Sequence, residues 1–432
     1  MKALLIGSGA RENAIADSLL HGGTELFAFM SNRNPGIYKR CKSYELGKVT
    51  DVAAVKAFAT RVNPDVAVVG PEAPLAAGVV DELQSIGIKC FGPAKELAQL
   101  ETSKSFTRQL LERHRIDASP EFRVFDRNSS ETEIRGFLKE LGGYVVKPDG
   151  LTGGKGVRVS GEHIRSSEEA LRYCKEVFEL HGSVIIEEKL DGEEFSLQSI
   201  TDGTTVIDCP VVQDHKRAFE DDSGSNTGGM GSYSDANHLL PFLKAEHVER
   251  AHEITEKVAA ALRKEIGLYK GVMYGGFILT KKGVKLLEYN ARFGDPEAMN
   301  VLPLLKTNFA EVCMAVANGE LHKIRPEFEK KATVCKYVVP AGYPDNPQPG
   351  KIDVPKESKA LTFYAAVDEN PDGIYTTKSR AVAFVGIAES IGAAEKIAED
   401  AASKVKGAVY HRKDIGTEKL IQKRVEHMKR LG

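Results

Sequence analysis

The chain has 432 residues, of which 42% are hydrophobic and 28% charged, and its formal net charge is −2. This length predicts two or more globular domains. The near balance of 59 basic and 61 acidic residues excludes the strongly basic surfaces that bind nucleic acids or membranes, so we expect neither as a partner.

The cysteines and the amino terminus indicate the compartment. The cysteines are too far apart for a metal-binding pair and too few for a disulfide scaffold: Cys41, Cys90, Cys174, Cys209, Cys313 and Cys335. The first apolar stretch is too short for a signal peptide, and no run of about 18 apolar residues follows. We therefore predict a cytoplasmic protein with reduced thiols.

The first hundred residues alternate between strand and helix patterns. We predict buried strands at 3–6, 26–29, 66–69 and 88–91, and helices at 12–20, 52–62 and 75–86. This alternation predicts a doubly wound, mostly parallel sheet.

A glycine loop, Gly7-x-Gly9-x-x-Glu12, follows the first predicted strand. A dinucleotide fingerprint has a third glycine in place of Glu12 and an acidic residue after the second strand, so we do not expect NAD binding. A glycine loop before a helix can still hold an anion at the helix amino terminus. The alternative is a tight turn without a ligand.

A second region begins near residue 102. Ser103 is suited to cap a helix that carries Lys104 and runs to about 113. Strands near 124, at 144–159 and at 183–188, with a helix at 167–180, predict a compact subdomain over about 115–190.

A glycine-rich turn joins two predicted strands of this subdomain. It contains four glycines, with one lysine before it and one inside it: Gly150, Gly153, Gly154, Gly156, Lys147 and Lys155. Backbone N–H groups of such a turn approach anions closely, and lysines add positive charge. It is not a Walker P-loop, because Gly156 stands where that motif has Ser or Thr and a strand follows. A glycine-rich hairpin without a ligand is the alternative.

Residues 213–234 are rich in Gly, Ser, Asp and Asn, and we predict a loop long enough to be functional. Asp214, His215, Lys216 and Arg217 are candidates for positioning amino and phosphate groups, and an exposed charged turn is the alternative. A long helix at 246–265 and a strand at 273–279 follow.

The segment that contains Glu288, Asn290 and Arg292 is the most informative, because alternate residues of an extended chain share a face. Carboxylate and carboxamide oxygens suit Mg²⁺, which usually binds through one or two protein oxygens plus substrate phosphates. We therefore predict a metal and a polyphosphate at this face. The alternative is a polar strand end whose charges pair with one another. The neighbouring strand offers Gly276 and no carboxylate.

Residues 326–432 begin with a turn-rich, proline-rich stretch and continue with strands such as 381–385 and a helix at about 391–405. The apolar stripe of that helix predicts core packing.

These motifs together resemble the ATP-grasp superfamily and, more closely, the glycinamide ribonucleotide synthetase family. The segments that carry the resemblance occur in order over nearly the whole chain: 7–12, 69–75, 91–93, 103–106, 146–156, 186–194, 213–217, 226–231, 288–297 and 411–416. One departure is Asn13, where relatives commonly carry His.

The resemblance implies an α/β and α+β multidomain fold. It comprises a doubly wound amino-terminal domain (1–101) that helps to hold phosphoribosylamine, an ATP-grasp domain with a mobile lid (102–325, lid about 115–190), and a small α+β domain (326–432). It implies an ATP-dependent ligase that joins glycine to 5-phosphoribosylamine through glycyl phosphate, with Mg²⁺ or Mn²⁺, as a monomer or small homo-oligomer. Another ATP-grasp carboxylate–amine ligase and a non-catalytic nucleotide-binding protein remain as alternatives.

The resemblance also implies roles for individual residues. The catalytic candidates are Arg292, Lys155, Asp295 and Asp214, with Asp295 holding the glycine ammonium. The metal candidates are Glu288 and Asn290. The ATP candidates include the hinge at Glu187 and Leu190, which would read adenine, and Glu194 at the ribose. The full ATP set is Lys104, Lys147, Gly153, Gly154, Lys155, Gly156, Glu187, Leu190 and Glu194.

Overall fold

The computed structural model describes residues 1–151 and 156–432. The predicted phosphate-binding residues Gly153, Gly154 and Lys155 lie outside the described residues. Among the described residues, no helix combines the length and the apolar character needed to cross a bilayer.

A parallel sheet in the order β3-β2-β1-β4-β5 forms the amino-terminal region, which confirms the doubly wound prediction. Its elements are β1 (Lys2–Ile6), α1 (Ala10–His21), β2 (Glu25–Met30), α2 (Pro35–Tyr38), β3 (Ser43–Leu46), α3 (Val52–Val62), β4 (Val66–Val69), α4 (Glu72–Ala77), α5 (Val79–Ser85) and β5 (Lys89–Phe91).

Two predictions in this region were wrong. Sequence periodicity did not reveal β3, because this edge strand is short and its side chains are polar or partly exposed. The single helix predicted at 75–86 is two helices, since Gly78 adopts a left-handed conformation (φ 88°) between α4 and α5.

The lid subdomain comprises residues 122–188 and contains a sheet in the order β6-β9-β7-β8. The helices α8 and α9 pack on this sheet around a hydrophobic cluster of their own. The elements from the end of the first region through the lid are α6 (Gln99–Thr102), α7 (Lys104–Arg113), β6 (Phe122–Asp126), α8 (Glu131–Leu141), β7 (Tyr144–Pro148), β8 (Arg158–Val159), α9 (Ser167–His181) and β9 (Ser183–Glu188).

An antiparallel sheet in the order β11-β10-β16-β17 follows the lid, and α10 packs against it. The elements are β10 (Gly192–Thr201), β11 (Val206–Asp208), β12 (Gln213–Asp214), β13 (Arg217–Phe219), β14 (Ser223–Asn226), β15 (Gly231–Ser234), α10 (Ala245–Glu265), β16 (Gly271–Thr280), β17 (Gly283–Asn290), α11 (Ala298–Val301) and α12 (Phe309–Asn318). Short 3-10 turns lie at Glu220–Asp222, Leu302–Leu304 and Leu321–Lys323.

Residues 213–234 contain four short strands and are not the single long loop that was predicted. They form the hairpin β13–β14 and the strands β12 and β15, which continue into a sheet with the carboxy-terminal region in the order β12-β15-β18-β23-β20. The glycines that suggested a loop serve close pairing here: at Gly231 (φ 150°), a side chain would collide with the carbonyl of Cys335.

The carboxy-terminal region adds a small sheet in the order β19-β22-β21, and helix α13 packs on β18 and β23. The buried stripe of α13 confirms its predicted role in core packing. The elements are β18 (Ala332–Pro340), β19 (Lys351–Ile352), β20 (Leu361–Tyr364), β21 (Val367–Asn370), β22 (Gly373–Thr376), β23 (Val382–Ala388), α13 (Ile391–Ala402), β24 (Val409–Tyr410) and α14 (Glu418–Leu431).

The separate core of the lid predicts that it can lose stability on its own. Phe137 is 1% exposed in this core. Phe137→Ala removes its apolar contacts and should lower the free energy of unfolding of this subdomain by about 3–5 kcal/mol. We expect faster hydrogen exchange over 122–188 and unchanged exchange in the amino-terminal sheet. The control Leu180→Ala, at a side chain that is 80% exposed on α9, should leave both unchanged. Equal acceleration throughout the chain would contradict an independent lid core.

Candidate functional site

The strand pair β16–β17 sets the direction of the predicted metal ligands. Gly276 pairs with Glu288 whereas Phe277 pairs with Leu286, so Leu287 is an extra residue that forms a β-bulge. Beyond the bulge Tyr289 is buried, and its hydroxyl bonds to Thr255 of α10. Glu288 and Asn290 are half-buried and lie two residues apart on the opposite face.

Arg292 lies two residues beyond the strand, which ends at Asn290. Its guanidinium pairs with Glu101 at 2.9 Å and with Glu72 at 3.3 Å. Burial raises the pKa of Glu72, but Arg292 and Arg11 outweigh burial and bring it down to about 2. The charge of Arg292 is therefore already shared between two carboxylates of the amino-terminal region and α6.

Positive charges converge on Glu288 from several elements. Burial raises the pKa of Glu288, yet Lys216, Lys147 and Lys104 together hold it below its ordinary value. Burial lowers the pKa of Lys104, which is otherwise held up by Glu288. Glu288 is thus an ionised carboxylate, which suits a metal ion. The lysines around it make the cleft positively charged, which suits an anionic ligand of that metal.

A buried ion bridge holds the bulge and the lid together. Arg108 of α7 is 2% exposed, and its Nε bonds to Oε1 of Glu187 on lid strand β9 at 2.6 Å. Its two terminal nitrogens donate to the carbonyls of Leu286 and Leu287 at 2.9 and 2.8 Å. Lys147 of β7 pairs with the other oxygen of Glu187 at 2.6 Å. The side chain of Glu187 therefore has a structural partner on each oxygen.

The start of the glycine-rich turn docks on the amino terminus of α7. Lys104 Nζ donates to the carbonyl of Gly150 at 2.8 Å, and Asp149 accepts bonds from the backbone N–H and the hydroxyl of Ser105. At the far end of the turn, Tyr173 donates to the carbonyl of Gly156 at 2.6 Å. The structure thus brings Lys104, Lys147 and the described part of the turn to one cleft with Glu288.

The lid returns to β10 through Leu190, and Glu194 follows on that strand. Glu194 pairs with Lys216 at 2.9 Å, and this carboxylate is the main cause that raises the pKa of Lys216. Glu194 is half exposed and lies on the face of the sheet that β10 shares with Gly276 and Glu288, because Ser196 pairs with Gly276.

Two carboxyl groups lie next to this face: Asp214 is half-buried and Glu297 is buried. Burial and the neighbouring Glu297 raise the pKa of Asp214 well above its ordinary value. Burial also raises the pKa of Glu297, although the hydroxyl of Tyr274 donates to its Oε1 at 2.7 Å. Gly229 (φ 106°) makes room for this pair, because a Cβ there would lie 2.6 Å from Oδ1 of Asp214.

Asp295 is held by two residues of the carboxy-terminal region. Tyr337 donates its hydroxyl to Oδ1 at 2.6 Å, and Arg380 pairs with Oδ2 at 3.2 Å. Sequence reasoning missed Arg108, Glu297, Tyr337 and Arg380. Glu297 had a signal, since it lies in the same motif as Asp295, whereas the other three belong to no local pattern.

The glycine loop of the amino-terminal region is filled by its own carboxylate. Glu12 accepts a bond from the backbone N–H of Gly9 at 2.6 Å and lies against Gly7 and Gly70, where side chains would collide with it. The amino terminus of α1 is therefore capped by Glu12, and a phosphate at this point would compete with a carboxylate. This geometry favours the tight-turn alternative over the anion site.

The donor set fits a hard divalent cation. Among the described residues no group of three or more His, Cys, Asp or Glu side chains could hold a metal by itself. Glu288 and Asn290 supply the one or two protein oxygens that Mg²⁺ takes when phosphates and water complete its shell.

Comparisons with known proteins agree with this geometry. Family models match the phosphoribosylglycinamide synthetase N domain over residues 1–101, its ATP-grasp (A) domain over 102–298 and its C domain over 333–418. A protein of Methanocaldococcus jannaschii named phosphoribosylamine–glycine ligase is 52% identical over the full length of both chains. One of the same name from Methanocella arvoryzae is 49% identical over 99% of each.

Solved structures resemble the chain as well. The phosphoribosylamine–glycine ligase of Thermotoga maritima superposes with a TM-score of 0.82 at 28% identity, covering 96% of this chain and 100% of that one. Biotin carboxylase of Campylobacter jejuni, in a complex with a β,γ-ATP compound, gives 0.74 at 17% identity over 99% and 98%, which shows the shared fold alone.

Removing the guanidinium of Arg108 from the ion bridge should lower the stability of the protein. Arg108→Gln leaves Glu187 buried with one partner fewer, and breaking such a pair costs about 3–5 kcal/mol. We expect a matching loss in the free energy of unfolding, measured by urea denaturation. Arg113→Gln on the same helix is the control, because its pair with Glu265 is exposed and should cost less than about 1 kcal/mol. Equal losses in both variants would contradict the bridge.

The raised pKa of the buried Glu297 predicts that the stability of the protein depends on pH. Because the folded-state pKa of Glu297 is raised above its ordinary 4.5, its contribution to stability is complete below that value and is lost as pH rises through the folded pKa. Glu297→Gln stays neutral and keeps the acceptor for Tyr274. We expect the variant to gain stability relative to the parent as pH rises above the ordinary pKa of 4.5, measured by urea midpoints. A difference independent of pH would contradict the raised pKa.

Proposed function

This chain belongs to the phosphoribosylglycinamide synthetase family, and we propose that it catalyses the ATP-dependent joining of glycine to 5-phosphoribosylamine. The products are glycinamide ribonucleotide, ADP and phosphate, in purine biosynthesis. The observation that carries the proposal is a positively charged face around Glu288 and Asn290 that adjoins a group of carboxylates at Asp214, Asp295 and Glu297. The first part suits a polyphosphate and the second suits an ammonium.

The reaction needs activation because a carboxylate does not lose oxide to an amine in water. A glycine carboxylate oxygen attacks the γ-phosphorus, the bond from that phosphorus to ADP breaks, and glycyl phosphate forms. The amine of phosphoribosylamine then attacks the acyl carbon, phosphate leaves, and the amine loses a proton. Such transfers depend on positioning and charge neutralisation more than on a nucleophilic side chain.

ATP-grasp enzymes use a divalent cation with ATP, and Glu288 and Asn290 would hold it in this chain. When bound, Mg²⁺ or Mn²⁺ neutralises phosphate charge during transfer. The lowered pKa of Glu288 keeps this ligand ionised at neutral pH.

The nucleotide is assigned to the cleft between the lid and β17. Lys104 and Lys147 face the phosphates, with Lys155 and the glycines at 153, 154 and 156 as further candidates. The backbone at Glu187 and Leu190 reads adenine, and Glu194 accepts bonds from the ribose. Arg292 contributes through the field of its ion-paired guanidinium.

Glycine is assigned to the site formed by Asp214, Asp295 and Glu297, because it carries an ammonium at neutral pH whereas phosphoribosylamine brings an anionic phosphate that carboxylates repel. Asp295 and Asp214 are the residues assigned to that ammonium. A cytoplasmic location, a monomer or small homo-oligomer and the absence of nucleic-acid partners remain predictions.

The test is ADP release with phosphoribosylamine generated in place. We expect release to require both glycine and the amine, and Glu288→Gln to lower kcat by about a hundredfold or more at saturating Mg²⁺. Lys282→Gln, in the exposed turn before the same strand, is the matched control and should keep full activity.

Other outcomes separate the alternatives. ADP release that depends on a different carboxylate would indicate another ATP-grasp ligase. Nucleotide binding without any ADP release would indicate a non-catalytic protein. Full activity of Glu288→Gln would contradict the metal assignment while leaving the reaction intact.

A further inference from the structure

Arg380 lies in the segment before β23, far in sequence from the metal face, yet its guanidinium reaches the carboxylate group. One terminal nitrogen donates to the carbonyls of Gly228, Gly229 and Asp295 at 2.6, 3.0 and 3.0 Å. The other pairs with the carboxylate of Asp295 at 3.2 Å. The side chain is 14% exposed, so these contacts are largely shielded from water.

Tyr337 of β18 completes this arrangement. The Arg380 guanidinium lies 4.4 Å from the centre of its ring, in the geometry of a cation–π contact. The hydroxyl of Tyr337 donates to the other oxygen of Asp295, and its backbone N–H bonds to the carbonyl of Met230 at 3.0 Å. Burial and the Asp295 charge raise the pKa of Tyr337, so its hydroxyl stays a donor at neutral pH.

The donors of Arg380 that face the site are already engaged, so this cation is not available to bind a substrate anion. Arg380 instead holds two parts of the structure beside the carboxyl groups of Asp214 and Asp295. One is the Asp295 carboxylate, and the other is the turn at 228–230, in which Gly229 packs against Asp214. A change at Arg380 or Tyr337 therefore moves both acidic residues that face the ammonium.

We propose that Arg380 and Tyr337 are positioning residues for glycine, which hold Asp295 and the turn at 228–230 in the arrangement that receives the glycine ammonium. The inference rests on the proposed function and extends it, because it makes the carboxy-terminal region part of the glycine site. ATP contacts none of these groups in the assignment above, so its affinity is independent of them.

The experiment is steady-state ADP release with glycine and ATP varied separately. We expect Arg380→Gln to raise the KM for glycine about tenfold or more, and Tyr337→Phe about threefold to tenfold, since each removes a hydrogen bond to a charged group. Arg380→Lys keeps the charge but cannot make the four bonds, and it should fall between Arg380→Gln and the parent. The KM for ATP should stay within about twofold in all three.

Lys378→Gln is the matched control, because this exposed residue lies two positions from Arg380 and should leave both KM values unchanged. The inference is overturned if Arg380→Lys and Tyr337→Phe leave the KM for glycine at the control value. It is also overturned if the KM values for glycine and ATP rise together, as a general loss of structure would cause. These two milder variants decide the matter if Arg380→Gln does not fold.

Failure of the proposed function has a different signature. In that case the parent protein itself shows no glycine-dependent ADP release, whatever the variants do. A parent that requires glycine, combined with variants of unchanged glycine KM, contradicts only the positioning role.

Discussion

The buried bridge between Arg108, Glu187 and Lys147 is the interaction on which the arrangement of the site depends. Charges removed from water are tolerated only when each has partners, and here the guanidinium satisfies one carboxylate oxygen and two backbone carbonyls. Those carbonyls belong to the bulge that turns Glu288 and Asn290 toward the cleft. Because Glu187 and Lys147 are in the lid, one side chain of α7 relates the orientation of the metal ligands to the position of the lid.

The charged groups of the site differ in whether they have a direct ion-pair partner. Arg292 is occupied by Glu72 and Glu101, and Arg380 by Asp295. The lysines at 104, 147 and 216 act on Glu288 without a direct pair to it. The lysines therefore leave positive charge where a polyphosphate is expected, whereas the region where an ammonium is expected holds the carboxyl groups of Asp214 and Glu297, whose pKa values are both raised.

The sequence predicted those features of the fold that depend on neighbouring residues in the chain. Four of the five strands of the first sheet, the Ser103 cap of α7 and the pairing of β16 with β17 follow from periodicity and capping, and the structure confirms them. The bulge at Leu287 and the strands within 213–234 were missed because tertiary pairing overrides the local signal there. The break at Gly78 was missed although the glycine itself is a local signal for a helix end. Arg108 and Glu187 are 79 residues apart, and Tyr337 and Asp295 are 42 apart. No sequence spacing predicts contacts between residues so far apart, so these contacts became apparent only from the three-dimensional structure.

The lid is attached to the rest of the chain mainly by polar contacts. Its hydrophobic cluster is separate from the large cluster that includes the first sheet, β10, β16 and β18. Contacts between the described residues of the two parts include the Arg108 bridge, the bonds of Lys104 to Gly150 and of Ser105 to Asp149, and the pair between Arg217 and Glu162. Because the predicted lid has a core of its own, we expect these polar contacts to set how firmly it is held. Lys104 and Lys147 are also the groups assigned to the phosphates. A nucleotide that enters the cleft therefore competes for the contacts that hold the lid, which links substrate binding to lid position through electrostatics.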